Sequence, residues 1–339
     1  MRILSSVRAL SLASVLASVA LLAACSSTPP AETAHDDPPV DGGGGGSSAD
    51  VAKASSAEVE QAIGHIQAER YADAIPVLER AVAANSKNAQ AQYYLGVSLE
   101  MTGKKAEAEA HYKSALDADP ALVEASQNLA AIYLDEPARP KDAIVVLEAA
   151  LKKVPGQAKL LHNLGFAKSL AGDAKGAVAA YEQSIAKEDS TAARFALGNL
   201  LFDQKELDKA VPHLRKAAEG SKDDLPTLAT IARMMGHAKA FGDCVKLLDV
   251  VIAKKADAAE PWVRRGLCKH ELGDEPGATA DFDGALKVDP KFVAAHYYRG
   301  VSLLAQKKKA DGKKALQQAA ELGKGTPIGD QAKDKLKGL

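Results

Sequence analysis

The stretch WVRRGLCKHELGDEPGATADFDGALKVDP, residues 262–290, decides the fold because its pattern of small, aromatic and proline residues recurs along the chain. The pattern consists of Gly266, Ala278, Phe282, Ala285 and Pro290, at offsets of 12, 16, 19 and 24 from the glycine. Residues 93–120 carry the same offsets, in Gly96, Ala108, Tyr112, Ala115 and Pro120. Five matches at unequal spacings indicate an internal repeat.

Eight repeat units follow one another from residue 55 onward. Their first small-residue positions are Ala62, Gly96, Ala130, Gly165, Gly198, Ala232, Gly266 and Gly300, and the successive differences are 34, 34, 35, 33, 34, 34 and 34. Small residues at this position and 12 residues later allow two helices to approach closely, and a ring or Leu four residues after that fills the space beside them. Each unit therefore predicts a helix hairpin, and stacked hairpins share a core.

A 34-residue period with this pattern resembles the tetratricopeptide repeat family, over about 270 of the 339 residues. The resemblance implies an all-α protein, an α-solenoid of about eight helix hairpins forming a right-handed superhelix. It also implies a concave groove, lined by the first helix of each hairpin, that binds peptides or proteins. Glycines in TGKK, AGDA and LGDE are expected to end the first helices in a left-handed conformation.

The chain divides into four predicted segments. Residues 1–24 form a signal peptide, 25–54 a lipidated cysteine with a flexible linker, 55–324 the eight repeats, and 325–339 a basic tail or capping helix. The linker prediction rests on a composition rich in Pro, Gly and Ser without apolar periodicity. A linker of this length has a root-mean-square reach of about 30 Å.

The N-terminus has the pattern of an export signal. Arg2 and Arg8 precede a largely apolar run at 10–24, which is shorter than the roughly 20 residues of a membrane-spanning helix. The run ends in LAAC and resembles a bacterial lipobox, which implies lipidation of Cys25. Ser26 follows it and, by resemblance to Gram-negative lipoproteins, favours the outer membrane, with the folded part in the periplasm. An ordinary signal peptide with a chance cysteine is the alternative.

Charge is unevenly distributed although the formal net charge is only −1. Residues 291–339 contain 11 Lys and Arg against 4 Asp and Glu, a net charge of +7. The excess indicates either a solvated helical cap or a surface that docks on anionic cell-wall or lipopolysaccharide phosphates. The low overall charge gives no indication of a nucleic-acid partner.

The family resemblance implies which side chains line the groove. Four predicted positions, three before and one, four and five after each small residue, give Tyr93, Val97, Met101, His162, Phe166, Phe195, Asn199, Phe202, Arg233, His237, His270 and Tyr297. Leu170, Asp203, Val263, Leu267, Glu271, Val301 and Leu304 occupy further positions of this kind. Phe166, Phe195 and Phe202 suggest an aromatic trough for a peptide. The alternative is that neighbouring repeats fill some of these positions as core.

No motif of a catalytic, nucleotide or metal site occurs, so we expect no enzyme activity, cofactor or metal. Cys268 and His270 are two residues apart and point about 200° apart on a helix, which argues against a shared metal or a thiol enzyme. Cys244 takes the place of a core Ala. Two free buried thiols are expected at Cys244 and Cys268, with an inter-repeat disulfide as the alternative.

These observations predict a lipid-anchored protein–protein interaction scaffold of the bacterial envelope. Resemblance to similar lipoproteins implies that its partners are envelope proteins or peptides of an assembly such as secretin, pilus or outer-membrane machinery. An adaptor that regulates cell-wall enzymes is the alternative. The chaperone-tail type of groove is not expected, because Phe195 and Pro226 stand where lysines would hold a carboxylate.

Overall fold

The computed structural model describes residues 48–135 and 137–339. The predicted signal peptide, Cys25 and the linker up to residue 47 lie outside these residues. The described part contains seventeen α-helices and no strand. The predicted all-α repeat solenoid is thereby confirmed, while its superhelical hand stays a prediction.

The helices are named α1 to α17 in chain order. They are α1 Ser48–Gln67, α2 Tyr71–Ala84, α3 Ala89–Met101, α4 Lys105–Ala118, α5 Val123–Leu134, α6 Pro140–Lys153, α7 Ala158–Leu170, α8 Ala174–Lys187, α9 Thr191–Asp203, α10 Leu207–Gly220, α11 Leu225–His237, α12 Phe241–Lys254, α13 Ala259–Glu271, α14 Glu275–Val288, α15 Val293–Ala305, α16 Lys309–Leu322 and α17 Pro327–Lys337. Consecutive odd and even helices form eight hairpins, and α17 packs on the last one. Two compact units result, the first ending at Glu188 and the second beginning at Asp189.

The first helix begins earlier than the sequence indicates. It starts at Ser48, within the segment 25–54 that composition assigned to the linker. From this point the chain lacks Pro and Gly until Gly64 and is rich in Ala, the residue with the highest helix propensity. The linker therefore ends before residue 54.

The small residue of each hairpin lies where its two helices cross. A Cβ on Gly266 would lie 2.6 Å from Phe282 Cε1, and one on Gly96 would lie 2.7 Å from Tyr112 Cε1. Real Cβ atoms do not come so close to another carbon, so only glycine permits these crossings. The predicted partnership between the first position and the residue 16 later is confirmed.

The turns between paired helices depend on a residue in the left-handed conformation. Gly103, Gly172 and Gly273 have φ of 87°, 81° and 81°, as TGKK, AGDA and LGDE predict. Other hairpins place a lysine there, for example Lys239 with φ 59°. A side chain in this region costs about 1 kcal/mol or more, which neighbouring packing offsets.

The tail folds as a cap. Helix α17 lies in the predicted segment 325–339 and buries Ala332 in an apolar cluster with Leu316 and Ala319 of α16. Thr326 caps its N-terminus by accepting a hydrogen bond from the Gly329 N–H at 3.2 Å. Helix α17 thus covers the last repeat as a ninth first helix would.

Candidate functional site

The groove positions of α3 are mostly core. Tyr93 is 4% exposed and Val97 2%, so the expectation that both line an open groove is wrong for this structure. The physical reason is that α3 buries nine consecutive residues, 91–99, and therefore has no solvent-exposed face along that stretch. The Tyr93 ring packs 5.1 Å from Tyr94 and 6.0 Å from Tyr112. Only Met101, 40% exposed, remains accessible from this set.

Helix α7 presents three predicted positions with graded exposure. His162 is half-buried with its ring 5.5 Å from that of Tyr181. Burial lowers the pKa of His162 and keeps it neutral at physiological pH. Phe166 packs against the core of the first unit, while Leu170 is 48% exposed. Of these three predicted positions, the most exposed is therefore Leu170, an apolar residue at the C-terminal end of α7.

Helix α9 of the second unit carries four of the predicted groove positions. Phe195 and Phe202 are both half-buried, and their spacing of seven residues places them on one face of the helix. Asn199 lies between them and donates from Nδ2 to Asp203 Oδ2 at 3.3 Å. Phe166 belongs to the first unit and the other two Phe residues to the second. The predicted trio is thus divided between the units.

Two predicted groove residues of neighbouring hairpins meet in the second unit. The Phe202 ring of α9 lies 6.2 Å from the His237 ring of α11, edge to face. Lys205 Nζ lies 5.9 Å from the Phe202 ring, a cation–π contact. His237 is exposed, and Arg233 is half-buried one helical turn before it. We call Phe195, Phe202, Arg233 and His237 the α9–α11 patch.

The groove positions of α13 divide between core and surface. Val263 is buried with Phe282, which contradicts its predicted exposure, and Leu267 packs on the same cluster. His270 is half-buried, with Nδ1 2.7 Å from Glu275 Oε1. Glu275 also accepts a hydrogen bond from Ser302 Oγ at 2.6 Å. His270 therefore belongs to a polar network that joins three helices. Only part of the His270 side chain is left accessible to a binding partner.

Tyr297 of α15 is covered in part by the cap. It packs with Leu304 and Leu336 on the apolar cluster of α16 and α17. Its ring also lies 5.1 Å from that of Tyr298. Val301 is half-buried and Glu271 exposed. The cap thus occupies the side of Tyr297 that another repeat would cover.

The two repeat cysteines form a disulfide, contrary to the expected pair of free thiols. Cys244 of α12 and Cys268 of α13 are joined with an S–S distance of 2.06 Å and a Cα–Cα distance of 6.4 Å. Gly236 of α11 lies against the bond, and a Cβ there would be in ordinary van der Waals contact with Cys268 Sγ at 3.4 Å. Because Cys244 is the second small residue of one hairpin and Cys268 follows the first small residue of the next, the repeat frame places them at a helix contact.

A buried ionic network near the disulfide was missed by the sequence reasoning. Arg265 donates to both oxygens of Asp281, from Nη2 at 2.6 Å and Nε at 2.9 Å, and from Nη1 to Asp249 Oδ1 at 2.7 Å. Lys269 Nζ lies 2.9 Å from Asp281 Oδ2, and Asp281 is only 2% exposed. Arg265 stands one residue before Gly266, where five of the other seven hairpins carry a buried Leu or Ile, as in Leu197. An Arg at a position that is usually apolar core was the sign in the sequence from which a buried ion pair could have been inferred.

Among the described residues no three His, Cys, Asp or Glu side chains are grouped as metal ligands would be. No helix within 48–135 or 137–339 has the length and apolar character needed to cross a membrane. The accessible groove positions combine apolar and aromatic side chains with charged side chains of both signs, which suit a peptide or protein surface.

Comparisons with known proteins agree with the repeat pattern. A sequence model of the tetratricopeptide repeat matches residues 59–122, 171–224 and 269–327, just over half of the chain. No curated protein sequence matches the chain. A solved structure of pilF from Pseudomonas aeruginosa is 15% identical, covers 74% of this chain and 98% of its own, and has a TM-score of 0.48.

Two further solved structures show the same kind of likeness. A thermophilic tetratricopeptide repeat protein from Thermus thermophilus is 24% identical, with 54% and 99% of the two chains covered and a TM-score of 0.42. MamA is 18% identical, with 49% and 91% covered and a TM-score of 0.43. At these identities the likeness concerns the fold alone.

Proposed function

The chain belongs to the tetratricopeptide repeat family, and from that premise we propose that it is a lipid-anchored scaffold of the bacterial envelope that binds partner proteins in its groove. The repeat fold suggests a protein–protein interaction scaffold. The anchor, the periplasmic location at the outer membrane and a role in assembling an envelope complex are the proposed parts. The partners would be envelope proteins or peptides, held near the membrane by Cys25 and the linker.

The observation that supports binding in the groove is the contact between Phe202 and His237. It joins the accessible faces of two neighbouring hairpins, at a ring separation of 6.2 Å. Aromatic side chains are enriched in protein interfaces, and a cation close to a ring face adds to such a contact. Lys205 at 5.9 Å supplies that cation. The α9–α11 patch is therefore the proposed centre of the binding surface.

The direct test is co-purification of the full-length protein with its partners from its own envelope. Phe202→Ala together with His237→Ala should reduce recovery of groove-bound partners at least tenfold, since each truncated hot-spot side chain costs about 1–2 kcal/mol. Val250→Ala is the matched control, because Val250 is a 38% exposed apolar residue of the same unit on a second helix. Equal recovery of every partner by all three proteins would refute the groove proposal.

The disulfide supports the proposed location. Disulfides persist in oxidising compartments such as the periplasm and are rare in the bacterial cytosol. The Cys244–Cys268 bond is thus compatible with an exported protein. It is independent of the signal-like N-terminus, so two separate features favour export.

Lipidation is tested by labelling growing cells with a radioactive or clickable palmitate. Wild type should incorporate the label and sediment with membranes, whereas Cys25→Ser should lose the label. Cys25 is the only cysteine outside the repeats, so Cys244→Ala with Cys268→Ala serves as the control that retains the label. Labelling of the Cys25→Ser protein would contradict the anchor.

A further inference from the structure

The basic character of the second unit is confined to its last two helices. Residues 189–306 contain 17 Lys and Arg and 17 Asp and Glu, which gives a net charge of zero. Residues 307–339 contain 9 Lys and 4 Asp and Glu, which gives +5. A solubilising surface needs charges of both signs, whereas this end carries more than twice as many cations as anions. The excess is a local feature of the cap rather than of the repeats.

Most of these cations have no acidic partner. Lys333 and Lys337 of α17 pair with Asp330 and Asp334, both at 2.9 Å. On α16 and the turns that flank it, five exposed lysines form neither an ion pair nor a side-chain hydrogen bond within the described residues, whereas Lys308 donates to Gln306 Oε1 at 2.8 Å. The five are Lys307, Lys309, Lys313, Lys314 and Lys324. We call these five residues the lysine patch.

The placement of the patch is unfavourable for the isolated helix. Lys309 and Lys313 are four residues apart on α16, so two like charges share one flank. Lys307 and Lys309 also lie at the N-terminus of α16, where the helix dipole repels cations. An anionic surface beside α16 would relieve both effects, since Asp311 is the only acidic residue in the first turn of this helix.

The composition of the patch indicates the kind of anion. Residues 307–339 contain no Arg and no aromatic residue. Recognition of nucleic acid typically uses the planar guanidinium of Arg and rings that stack on bases. Lysines on flexible stems suit a diffuse layer of phosphates, and each one near an anionic bilayer improves partitioning about fivefold. We propose that the lysine patch docks the second unit on anionic phospholipid headgroups of a membrane.

The docking proposal does not depend on the groove or on Cys25. It is tested with the full-length Cys25→Ser protein and lipid vesicles, either of phosphatidylcholine alone or with about one third phosphatidylglycerol. The measured quantity is the ratio of the two partition coefficients. This ratio cancels the charge-independent contribution of the apolar N-terminal run, because that run is the same in every variant. Wild type should show a ratio well above one that falls steeply between about 50 and 500 mM salt.

Charge variants test whether the lysine patch causes the preference for anionic vesicles. Neutralising Lys307, Lys309, Lys313 and Lys314 to Gln should lower the ratio at least about tenfold, allowing for lysines that do not reach the surface. These substitutions remove no ion pair within the described residues, and circular dichroism confirms that the helices persist. Glu321→Gln, which adds one net positive charge to α16, should raise the ratio several-fold.

The matched control neutralises four exposed lysines outside the patch. They are Lys152, Lys153, Lys175 and Lys246. This variant has the same net charge as the patch variant and should keep a ratio within about twofold of wild type. An equal loss in both variants, or a wild-type ratio of one, would overturn the proposal.

Discussion

Removal of the Cys244–Cys268 disulfide is the sharpest test of how the second unit is held together. The bond joins α12 to α13 and closes a loop with a sequence separation of 24. Cys244→Ala introduces the residue that Ala210 and Ala278 supply at the same place in other hairpins, so it fits the local packing. Cys268→Ala removes the second sulfur without adding volume.

The magnitude follows from the length of the closed loop. In the chain-entropy relation, a cross-link around about 25 residues lowers the entropy of the unfolded chain by an amount worth about 3.5 kcal/mol at 25 °C. Spread over a unit of this size, that loss should lower the melting temperature by roughly 10 °C. The effect should be confined to the second unit, because repeats interact mainly with their neighbours.

Equilibrium urea unfolding followed by Trp fluorescence is the assay. Trp262 is the sole tryptophan of the chain and lies between the two cysteines on α13, so its signal reports this region. In a Cys25→Ser background, the Cys244→Ala/Cys268→Ala protein and the reduced parent should both lose about 3 kcal/mol relative to the oxidised parent. A loss below about 1 kcal/mol by both routes would refute the reasoning, because the two share only the missing covalent bond.

Two further predictions concern ion pairs. Asp281→Ala should lower the free energy of unfolding by about 3 kcal/mol, because it leaves Arg265 without its buried carboxylate. Adding Arg265→Leu should recover much of this loss. A cost of the single Asp281→Ala substitution below about 1 kcal/mol in urea unfolding would contradict this prediction. In the first unit, hydrogen bonds from Arg139 lower the pKa of Glu109 from its ordinary 4.5 to about 2. The contribution of ionised Glu109 to stability is therefore complete above about pH 4.5 and is lost as pH falls toward 2. Glu109→Gln should remove this dependence and flatten the acid side of a plot of unfolding free energy against pH. Parallel wild-type and variant plots would count against the pairing of Glu109 with Arg139.

The hairpins could be predicted from sequence because their determinants are local and repeated. Gly266 and Phe282 must be 16 residues apart for the two helices of a hairpin to cross, and the same spacing in several units made the period visible. The turn glycines were predictable for the same reason, since Gly273 must adopt φ near 81°. Repetition thus turned weak single-residue preferences into a determined fold.

The groove was only partly predictable. Two of the predicted groove residues, Phe202 and His237, lie with their rings 6.2 Å apart, a contact that the repeat frame did not specify. The rule of fixed groove positions failed for Tyr93 and Val97, because exposure depends on how closely neighbouring helices pack around α3, and a single repeat does not contain that information. The ionic network was not predicted for a related reason. Arg265 of α13 donates hydrogen bonds to carboxylates on α12 and α14, the helices that precede and follow it in the chain.

The sequence by itself determined the class of protein, the number of hairpins, the residues at their crossings and the basic end. These depend on contacts within one hairpin or on composition, both of which are written in consecutive residues. The tertiary structure alone decided that Cys244 and Cys268 are bonded, that Tyr297 lies under the cap, and which groove positions are open. Each of these depends on the distance between helices of different hairpins, which packing sets and which no local pattern encodes.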